Sequence, residues 1–258
     1  MSAALPRPDL GAARFADHAR GAVEHAVAAN KDTVPLAARL LADCVAADGV
    51  IHAFGTGHSQ AAALEIAGRA GGLVPTSRIS LADLVLRGGE DPSVLADPLL
   101  ERSPGLADRL YALAGPRPQD LFVIISNSGV NNAIVDLALK VTAAGHRLVA
   151  LTSLEHTHAV PALHPSGKRL ADLADAVLDN CAPTGDAVLP LPGGGGLCGI
   201  STLTSSLLVQ MTVAEAVALL LAEGHEPPVY VSANIPGGHE RNALLEARYE
   251  GRLHRGGY

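Results

Sequence analysis

The sequence predicts an α/β fold in which a doubly wound parallel sheet lies between layers of helices. The first observation is that short apolar runs alternate with helix-like segments, which is the pattern of βαβ units. The second is an unbroken apolar run, Leu121 to Ile125, typical of a strand buried on both faces of a parallel sheet. The third is the glycine turn Gly55-Thr56-Gly57, which separates an apolar strand from a helix.

Two helices are predicted before the first strand. Residues Asp9 to about Asn30 carry apolar side chains at helical spacing, and a second helix follows Asp32-Thr33. Pro35 falls in the first turn of that helix, where proline is tolerated. Residues 1–48 are therefore predicted to form an N-terminal helical layer that packs on the sheet or on a second subunit.

The first βα unit runs from Val50 to Gly72. Its strand, Val50 to Phe54, ends in the glycine turn, and its helix begins near Ser59 and is closed by the glycine pair. The start of a helix leaves backbone N–H groups unpaired and carries partial positive charge, so this turn is a natural seat for an anion. We expect a phosphate there to contact Gly55, Thr56, Gly57 and Ser59.

The later elements continue the alternation. The turn Ser126-Asn127-Ser128-Gly129 joins the strand Leu121–Ile125 to a helix over Asn131–Ala144. The other predicted strands are Leu73–Pro75, Arg147–Leu151 and Ala176–Asp179, and the other predicted helices are Gly105–Ala114 and Ser201–Ala222. Loops are predicted over Arg78–Pro104, with a short helix, and over Cys181–Gly196. The tail, residues 224–258, holds an apolar piece at Val229–Val231 and a final helix, so residues 1–258 are predicted to form one domain.

Three segments bring small hydroxyl residues to the start of a helix: GTGHS (55–59), SNSG (126–129) and STLTSS (201–206). A single serine in such a position is most often only a helix cap. Two consecutive turns of this kind with a third cluster instead indicate a small cavity. Such a cavity would hold an anion through hydroxyl and backbone N–H donors rather than through Lys or Arg.

The composition narrows the classes of protein. The chain has 258 residues, a formal net charge of −7 and a pI near 5.8, which argues against nucleic acid or an anionic membrane as partner. Its three cysteines show no metal-type pairing and fit a reducing cytoplasm, and no targeting segment is visible at its start. The most apolar run, Leu203 to Ala222, contains polar residues, so we expect a buried core helix rather than a membrane span.

These residues resemble the SIS (sugar isomerase) domain of phosphosugar isomerases and phosphosugar-binding regulators. The resemblance rests on GTGHS followed by ExxxRAGG and on VIISNSGVNNAIVDLALKVTAAGHRLVALTS, and it covers roughly Ala29 to Glu223. The order of NCAPTGDA, the glycine loop and SANIPGGHERN is similar to a bacterial branch of SIS proteins that carries a phosphoheptose isomerase label. The resemblance implies a flavodoxin-like sheet, a sugar phosphate as ligand, and a homodimer or homotetramer with sites near subunit interfaces. We expect no cofactor, and no metal ligand is assigned; the sequence leaves the metal requirement open.

The resemblance also implies roles for single residues. The phosphate-contacting groups correspond to members of the three hydroxyl segments: Ser59, Ser126, Asn127 and Ser128, with Ser201, Thr202 or Ser205 as a further contributor. Glu65 lies on the helix where related isomerases place a general base. His239 and His58 are the candidates for the histidine that assists ring opening or proton transfer.

Each candidate also has a plainer interpretation. Glu65 could pair with Arg69 one helical turn later, His58 could face solvent, and His239 could belong to a surface tail. Asp186 either binds ligand or caps a turn. A loop explains the remaining histidines better than a metal site does; they are His156, His158 and His164. Gly193 to Gly196 are expected to form a lid or linker rather than a second phosphate cradle.

The leading hypothesis is an enzyme that isomerises a sugar phosphate. Aldose–ketose isomerisation removes a proton from the carbon next to a carbonyl, forms an enediol and returns the proton to the neighbouring carbon. Glu65 is the hypothesised base, and a donor that polarises the carbonyl oxygen completes the site. Two alternatives stay open: a non-catalytic phosphosugar sensor, although no basic DNA-binding extension is visible, and a phosphosugar etherase with the same fold.

Overall fold

The computed structural model describes residues 10–254. The predicted helix start at Asp9 and the ends of the predicted single domain, residues 1–9 and 255–258, lie outside the described residues. The α-helices are α1 (Ala12–Ala29), α2 (Thr33–Ala46), α3 (Gln60–Ile66), α4 (Asp83–Leu86), α5 (Leu106–Ala114), α6 (Asn132–Ala143), α7 (Leu154–Ala159), α8 (Ser201–Ala222) and α9 (Gly238–Glu246). The strands are β1 (Ile51–Gly55), β2 (Thr76–Ile79), β3 (Leu121–Ile125), β4 (Arg147–Thr152), β5 (Ala176–Asp179), β6 (Ala187–Pro190) and β7 (Gly196–Gly199).

Strands β1 to β5 form one parallel sheet in the order β2-β1-β3-β4-β5. This is the flavodoxin order, so the predicted fold class is confirmed. The order reverses between β1 and β3, because the chain runs from β1 to β2 on one side and returns to β3 on the other. In doubly wound sheets, ligands bind beyond the carboxyl ends of the strands at such a switch point.

The second strand differs from the prediction. β2 is a largely polar run, Thr76–Ile79, that directly follows the apolar segment Leu73–Pro75 in which the strand was predicted. β2 is at the edge of the sheet, so it needs no apolar side chains on both faces, and Pro75 has no N–H to donate to a neighbouring strand. Leu73 instead forms an isolated antiparallel bridge with Val229.

Helices cover both faces of the sheet, as the sequence predicts. On one face, α2, α3 and α8 pack against strand residues that include Ile51 and Val123. On the other face, α5 and α6 pack against residues that include Phe54 and Phe122. Side chains alternate between the two faces along each strand, so one apolar strand supplies both layers. The N-terminal helical layer is confirmed, since α2 lies in the first layer and α1 contacts α8.

Helix α8, with 22 residues, is apolar on more than one side. Leu208 and Val213 are buried in the core, whereas Leu203 is 39% exposed and Leu221 is 60% exposed. By length and composition, α8 is the one helix among the described residues that could cross a membrane. Its inner side belongs to the core cluster on the sheet, as predicted for this run.

The C-terminal tail covers the amino-terminal edge of the sheet. Tyr230 and Tyr249 are buried against Val50 and Val74. Val50 immediately precedes β1, and Val74 lies just before β2. Leu245 of α9 packs against the same cluster. The tail therefore lies at the edge opposite the switch point.

The buried carboxylate of Asp120 fastens this tail. Arg252 Nη2 donates to it at 2.5 Å, the N–H groups of Val50 and Arg117 each donate at 2.8 Å, and His52 Nε2 lies 3.2 Å away. Burial alone would raise the pKa of Asp120, but the hydrogen bonds, from His52 foremost and from Arg252 among them, lower it to about 2. The ionised carboxylate therefore ties the tail to the start of β3.

Two further segments correct the sequence-based prediction. Helix α3 ends at Ile66, several residues before the glycine pair, because Ala67 adopts an extended conformation (φ −99°, ψ 116°). The predicted loop Cys181–Gly196 contains β6 and the first residue of β7, which pair as an antiparallel hairpin. The glycines at 193–195 form the turn of that hairpin, with positive φ and a hydrogen bond from Leu191 N–H to Gly195, so they are not a free lid or linker.

Candidate functional site

The two turns predicted to bind phosphate lie side by side. β1 and β3 are neighbours with Gly55 opposite Ile125, so the turns that follow them meet at the switch point. The ends of β4 and β5 continue the same edge, with Thr152 opposite Asp179. The sheet therefore gathers the loops of consecutive βα units in one place.

A cavity of about 230 Å³ opens at this edge. Its walls come from the β1 turn, the β3 turn, the segment after β5 and the start of α8: His58, Ser59, Ala62, Ile125, Asn127, Asn180, Asp186, Ser201, Thr202 and Ser205. The predicted site residues on this wall are His58, Ser59, Asn127, Ser201, Thr202 and Ser205. The predicted residues that are not on it are Gly55, Thr56, Gly57, Ser126 and Ser128, which belong to the two turns, and Glu65 and His239, which are described below.

Glycines shape the β1 turn. A Cβ at Gly55 would lie 2.7 Å from the carbonyl oxygen of Ser59, so a larger residue would push the start of α3 away. Gly57 has a φ of 54°, in the left-handed region that glycine favours. Within the described residues, the Ser59 hydroxyl makes no capping hydrogen bond to α3. That hydroxyl is therefore free to bind a ligand in the cavity.

A serine holds the β3 turn together. Ser126 is buried, and its Oγ accepts a hydrogen bond from the Gly129 N–H at 3.1 Å. Thr157 donates from its hydroxyl to the carbonyl of Ser128 and so fixes the turn from α7. Among the described residues, the N–H groups of Asn127 and Ser128 have no hydrogen-bond acceptor, which suits an anion. Ser126 thus helps to form the turn, and its direct contact with phosphate stays a prediction.

Asn180 joins three parts of the site. Its Nδ2 donates to Asn127 Oδ1 at 3.0 Å and to Ser205 Oγ at 3.3 Å, and its Oδ1 accepts from the Ala182 N–H at 3.0 Å. Asn180 is only 2% exposed, so this amide fixes the spacing between the β3 turn and α8. The sequence-based site did not include Asn180. The available signal was its place directly after the strand Ala176–Asp179, at the same edge as the two turns.

The histidines that follow β4 are not assembled into a metal site. His156 and His158 lie on α7, a short helix rather than the expected loop. His156 Nδ1 lies 3.3 Å from Asn127 Nδ2, and His164 Nε2 lies 2.8 Å from a carboxylate oxygen of Asp136. Across residues 10–254, no group of three or more His, Cys, Asp and Glu side chains could hold a metal ion.

Asp186 occupies the start of α8. Its Oδ1 accepts from the N–H groups of Ile200 at 2.9 Å and Ser201 at 2.7 Å, and its Oδ2 accepts from the Ser201 hydroxyl at 2.8 Å. A Cβ at Gly199 would lie 2.7 Å from Oδ2, so glycine makes room for the carboxylate. Asp186 therefore caps the start of α8 rather than merely a turn, and it also stands on the cavity wall, where its contact with a ligand stays a prediction.

The charge of the cavity wall is low. Of the described residues that line it, none is Lys or Arg, His58 is the one histidine, and Asp186 is the one carboxylate. An anion bound here would be held by hydroxyl and N–H donors, which is the arrangement that the sequence indicates.

Comparison with known proteins places this fold in a family. A model of the SIS domain matches residues 14–153, which include both the β1 turn and the β3 turn. The chain belongs to the SIS domain family. It is 40% identical over 240 residues to a UPF0309 protein of Listeria monocytogenes serovar 1/2a, covering 93% of this chain and 97% of that relative. It is 34% identical over 224 residues to a UPF0309 protein of Geobacillus kaustophilus, covering 86% and 88% of the two chains.

Two solved structures share the SIS fold with this chain. The phosphoheptose isomerase of Neisseria gonorrhoeae aligns with a TM-score of 0.55 and 18% identity, over 80% of this chain and 96% of that one. The phosphoheptose isomerase of Francisella tularensis aligns with a TM-score of 0.53 and 14% identity, over 79% and 95%. These identities show the fold alone. The resemblance to the SIS domain that the sequence indicated is confirmed.

In this SIS domain, Glu65 lies outside the cavity wall. Its carboxylate accepts hydrogen bonds from Arg69, one turn later on the chain, and from Gln210 Nε2 of α8 at 2.6 Å. The Glu65 side chain is 22% exposed. The structure thus contains the pairing with Arg69 that was the plainer interpretation, and the role of Glu65 as base stays a prediction.

The two predicted histidines of the SIS domain differ in their relation to the cavity. His58 is exposed at the mouth of the cavity. His239 is exposed at the start of α9, the helix whose Leu245 packs at the amino-terminal edge. His239 does not line the cavity, so its catalytic role stays a prediction.

Proposed function

We propose that the cavity binds a phosphorylated sugar and that the protein interconverts the aldose and ketose forms of this sugar through an enediol. One observation carries the proposal: hydroxyl and N–H donors of two consecutive βα turns converge with the start of α8 at the switch point of a SIS sheet. Such donors bind phosphate without a basic side chain. The hydroxyl of Ser205 and the remaining lone pair of the Asn180 side-chain oxygen suit sugar hydroxyl groups, which both donate and accept.

Glu65 is the proposed base, and it acts at an interface between two copies of the chain. An apolar stripe on the outer side of α8 consists of Leu203, Leu207, Ala214 and Leu221, and Gln210, the partner of Glu65, falls within it. Spacings of four and seven residues are those of a helix face that packs against another helix. A second copy that packs on this stripe would meet Glu65, which supports placing the reaction near a subunit interface.

The position of Glu65 also favours a second candidate function. Within one copy, the cavity has groups that bind a ligand, but the predicted base is paired with Arg69 and Gln210 outside it. A phosphosugar sensor needs the binding groups and no base. The sensor therefore requires fewer rearrangements than the isomerase.

Proton NMR in D₂O separates the two functions. The purified protein is mixed with a panel of pentose, hexose and heptose phosphates, and both isomer formation and deuterium entry beside the carbonyl are followed. The isomerase predicts exchange with one sugar, lost in Glu65→Gln and kept in Glu215→Gln, a matched change at an exposed position of α8. Exchange that survives in Glu65→Gln but not in His58→Asn would assign the role of base to His58 instead of Glu65. Ligand line broadening without exchange would support the sensor.

A further inference from the structure

The cavity wall carries two chemically different groups of donors. The N–H groups of Asn127 and Ser128 in the β3 turn, and the hydroxyl of Ser59 in the β1 turn, are donors without a partner that competes for them among the described residues. At the start of α8, by contrast, two N–H groups already bond to the carboxylate of Asp186. The negative charge of Asp186 thus stands beside the donors of α8, and the donors of the two turns are the better place for an anion.

The Asp186 carboxylate is built into its place. It accepts three hydrogen bonds, from two backbone N–H groups and the Ser201 hydroxyl, at 2.7 to 2.9 Å. All three groups donate to it, which is the acceptor role of an ionised carboxylate. The glycine at 199 leaves just enough room for its Oδ2. A ligand anion that displaced it would have to break all three bonds and leave a half-buried carboxylate without partners.

We propose that Asp186 fixes the direction in which the ligand lies and restricts the cavity to sugars with a single phosphate. This inference rests on the proposed function. The phosphate of the sugar binds at the β1 and β3 turns, and the uncharged hydroxyl end of the sugar lies against Asp186, Asn180 and Ser205. A sugar with phosphates at both ends would place its second phosphate near Asp186, and no Lys or Arg among the described lining residues offsets that repulsion.

The repulsion is large enough to measure. At a separation of about 5 Å and an effective dielectric of about 20 to 80, a carboxylate and a phosphate dianion repel by an amount that weakens binding more than tenfold. A variant that removes the charge of Asp186 but keeps the shape of its side chain should recover most of the lost affinity for the bisphosphate. Asn at position 186 keeps a side-chain oxygen that accepts the N–H groups at the start of α8, since Asn caps helices as well as Asp does.

Calorimetric titration with matched ligand pairs tests the proposal. The pairs are ribulose 5-phosphate with ribulose 1,5-bisphosphate, fructose 6-phosphate with fructose 1,6-bisphosphate, and sedoheptulose 7-phosphate with sedoheptulose 1,7-bisphosphate. For whichever monophosphate binds the wild-type protein, we expect its bisphosphate to bind at least about tenfold more weakly. Asp186→Asn should lower this ratio at least about fivefold. Glu155→Gln is the control, because Glu155 bonds to Thr184 on the same loop but is not on the cavity wall.

The possible results distinguish failure of the Asp186 assignment from failure of the proposed function. A bisphosphate that binds the wild-type protein as tightly as its monophosphate, or a ratio that Asp186→Asn leaves unchanged, would overturn the assignment while sugar-phosphate binding stands. An equal change of the ratio in Glu155→Gln would also overturn it, because the effect would then come from net charge alone. Failure of every monophosphate to bind would instead defeat the proposed function, and the inference with it.

Discussion

Asn180 donates a hydrogen bond of 3.0 Å from its side-chain amide to the side-chain oxygen of Asn127. The bond joins the segment after β5 to the turn after β3, two segments that are 53 residues apart in the chain. A second bond from the same amide reaches Ser205 on α8. One buried side chain therefore links three parts of the cavity wall, and we expect its loss to loosen the spacing between them.

Asn180→Ala should weaken both the fold and the site. The change leaves the buried Ala182 N–H and the half-buried Asn127 oxygen without their partners, which costs about 2 kcal/mol of the free energy of unfolding. Urea denaturation measures this loss, and titration with a sugar phosphate measures the loss of binding. Asn234→Ala, at an exposed position of the tail, is the control and should change neither quantity. A variant as stable as the control would show that the amide network does not hold the cavity.

Gly129→Ala should damage the β3 turn more than a comparable glycine change elsewhere. Gly129 has a φ of 65°, and a Cβ there would lie 2.7 Å from Thr157 Oγ1. Gly145 also has a left-handed φ, of 85°, but open space surrounds its Cβ position. In both variants the left-handed conformation should lower the free energy of unfolding by about 1 kcal/mol. Gly129→Ala should in addition lose sugar-phosphate binding. Equal sugar-phosphate binding by the two variants would contradict the proposal that the β3 turn binds the phosphate.

The fold was predictable because its signals are local and repeated. The apolar run Leu121–Ile125 and the glycine turn at 55–57 each point to a βα unit, and alternation of such units specifies a doubly wound sheet. The edge strand was misplaced because β2 is polar and its apolar neighbour, Leu73–Pro75, looks more like a strand. The hairpin over 187–199 was missed because its strands are short and rich in glycine and proline.

The candidate site was only partly predictable. Residues next to the glycine turns, such as Ser59 and Asn127, could be selected because a turn at a strand end has a known position in the fold. Asn180 was missed although it directly follows a predicted strand, because the partners that give it a role come from distant segments of the chain. The location of Glu65 depends on where a short helix packs against α8, and a helix face is not read from spacing alone. The pairing with Arg69 is local and could be predicted from the spacing, whereas the bond to Gln210 comes from the packing of α3 on α8.

The stability that the C-terminal tail contributes should depend on pH. The pKa of Asp120 is lowered to about 2 by hydrogen bonds that outweigh its burial, from an unfolded value near 3.9. Its ionised form therefore stabilises the fold above about pH 4, and this contribution of about 2 kcal/mol is lost as the pH falls toward 2. Arg252→Met removes one of the donors, so the variant should be less stable at pH 7 and should lose less between pH 4 and pH 2.

Urea denaturation at pH 7, 4 and 2 checks this prediction. Arg248→Met is the matched control, because Arg248 pairs with Asp48 in an exposed ion pair, which contributes little. The same stability at pH 7 for Arg252→Met and Arg248→Met would show that Asp120 does not fasten the tail.

The apolar stripe on α8 should control the oligomeric state. Leu203→Glu combined with Leu221→Glu places two charges on the stripe, and two copies that pack there should separate. Light scattering in line with gel filtration measures the mass of the particle. Leu244→Glu on α9 is the control, since Leu244 is 75% exposed and lies on another helix, and it should leave the mass unchanged. If the stripe variant has the wild-type mass, the stripe is not the subunit interface at which Glu65 is proposed to act.

The most direct test of the central claim is whether a sugar phosphate binds in this cavity. Thr202 is an exposed residue of the cavity wall, so Thr202→Trp should block the cavity without disturbing the core. Ala222→Trp, at the exposed far end of the same helix, is the control. Ligand-observed proton NMR with the sugar-phosphate panel should show line broadening for the wild-type protein and for Ala222→Trp, and none for Thr202→Trp. Broadening that persists in Thr202→Trp, or its absence with every protein, would contradict the claim.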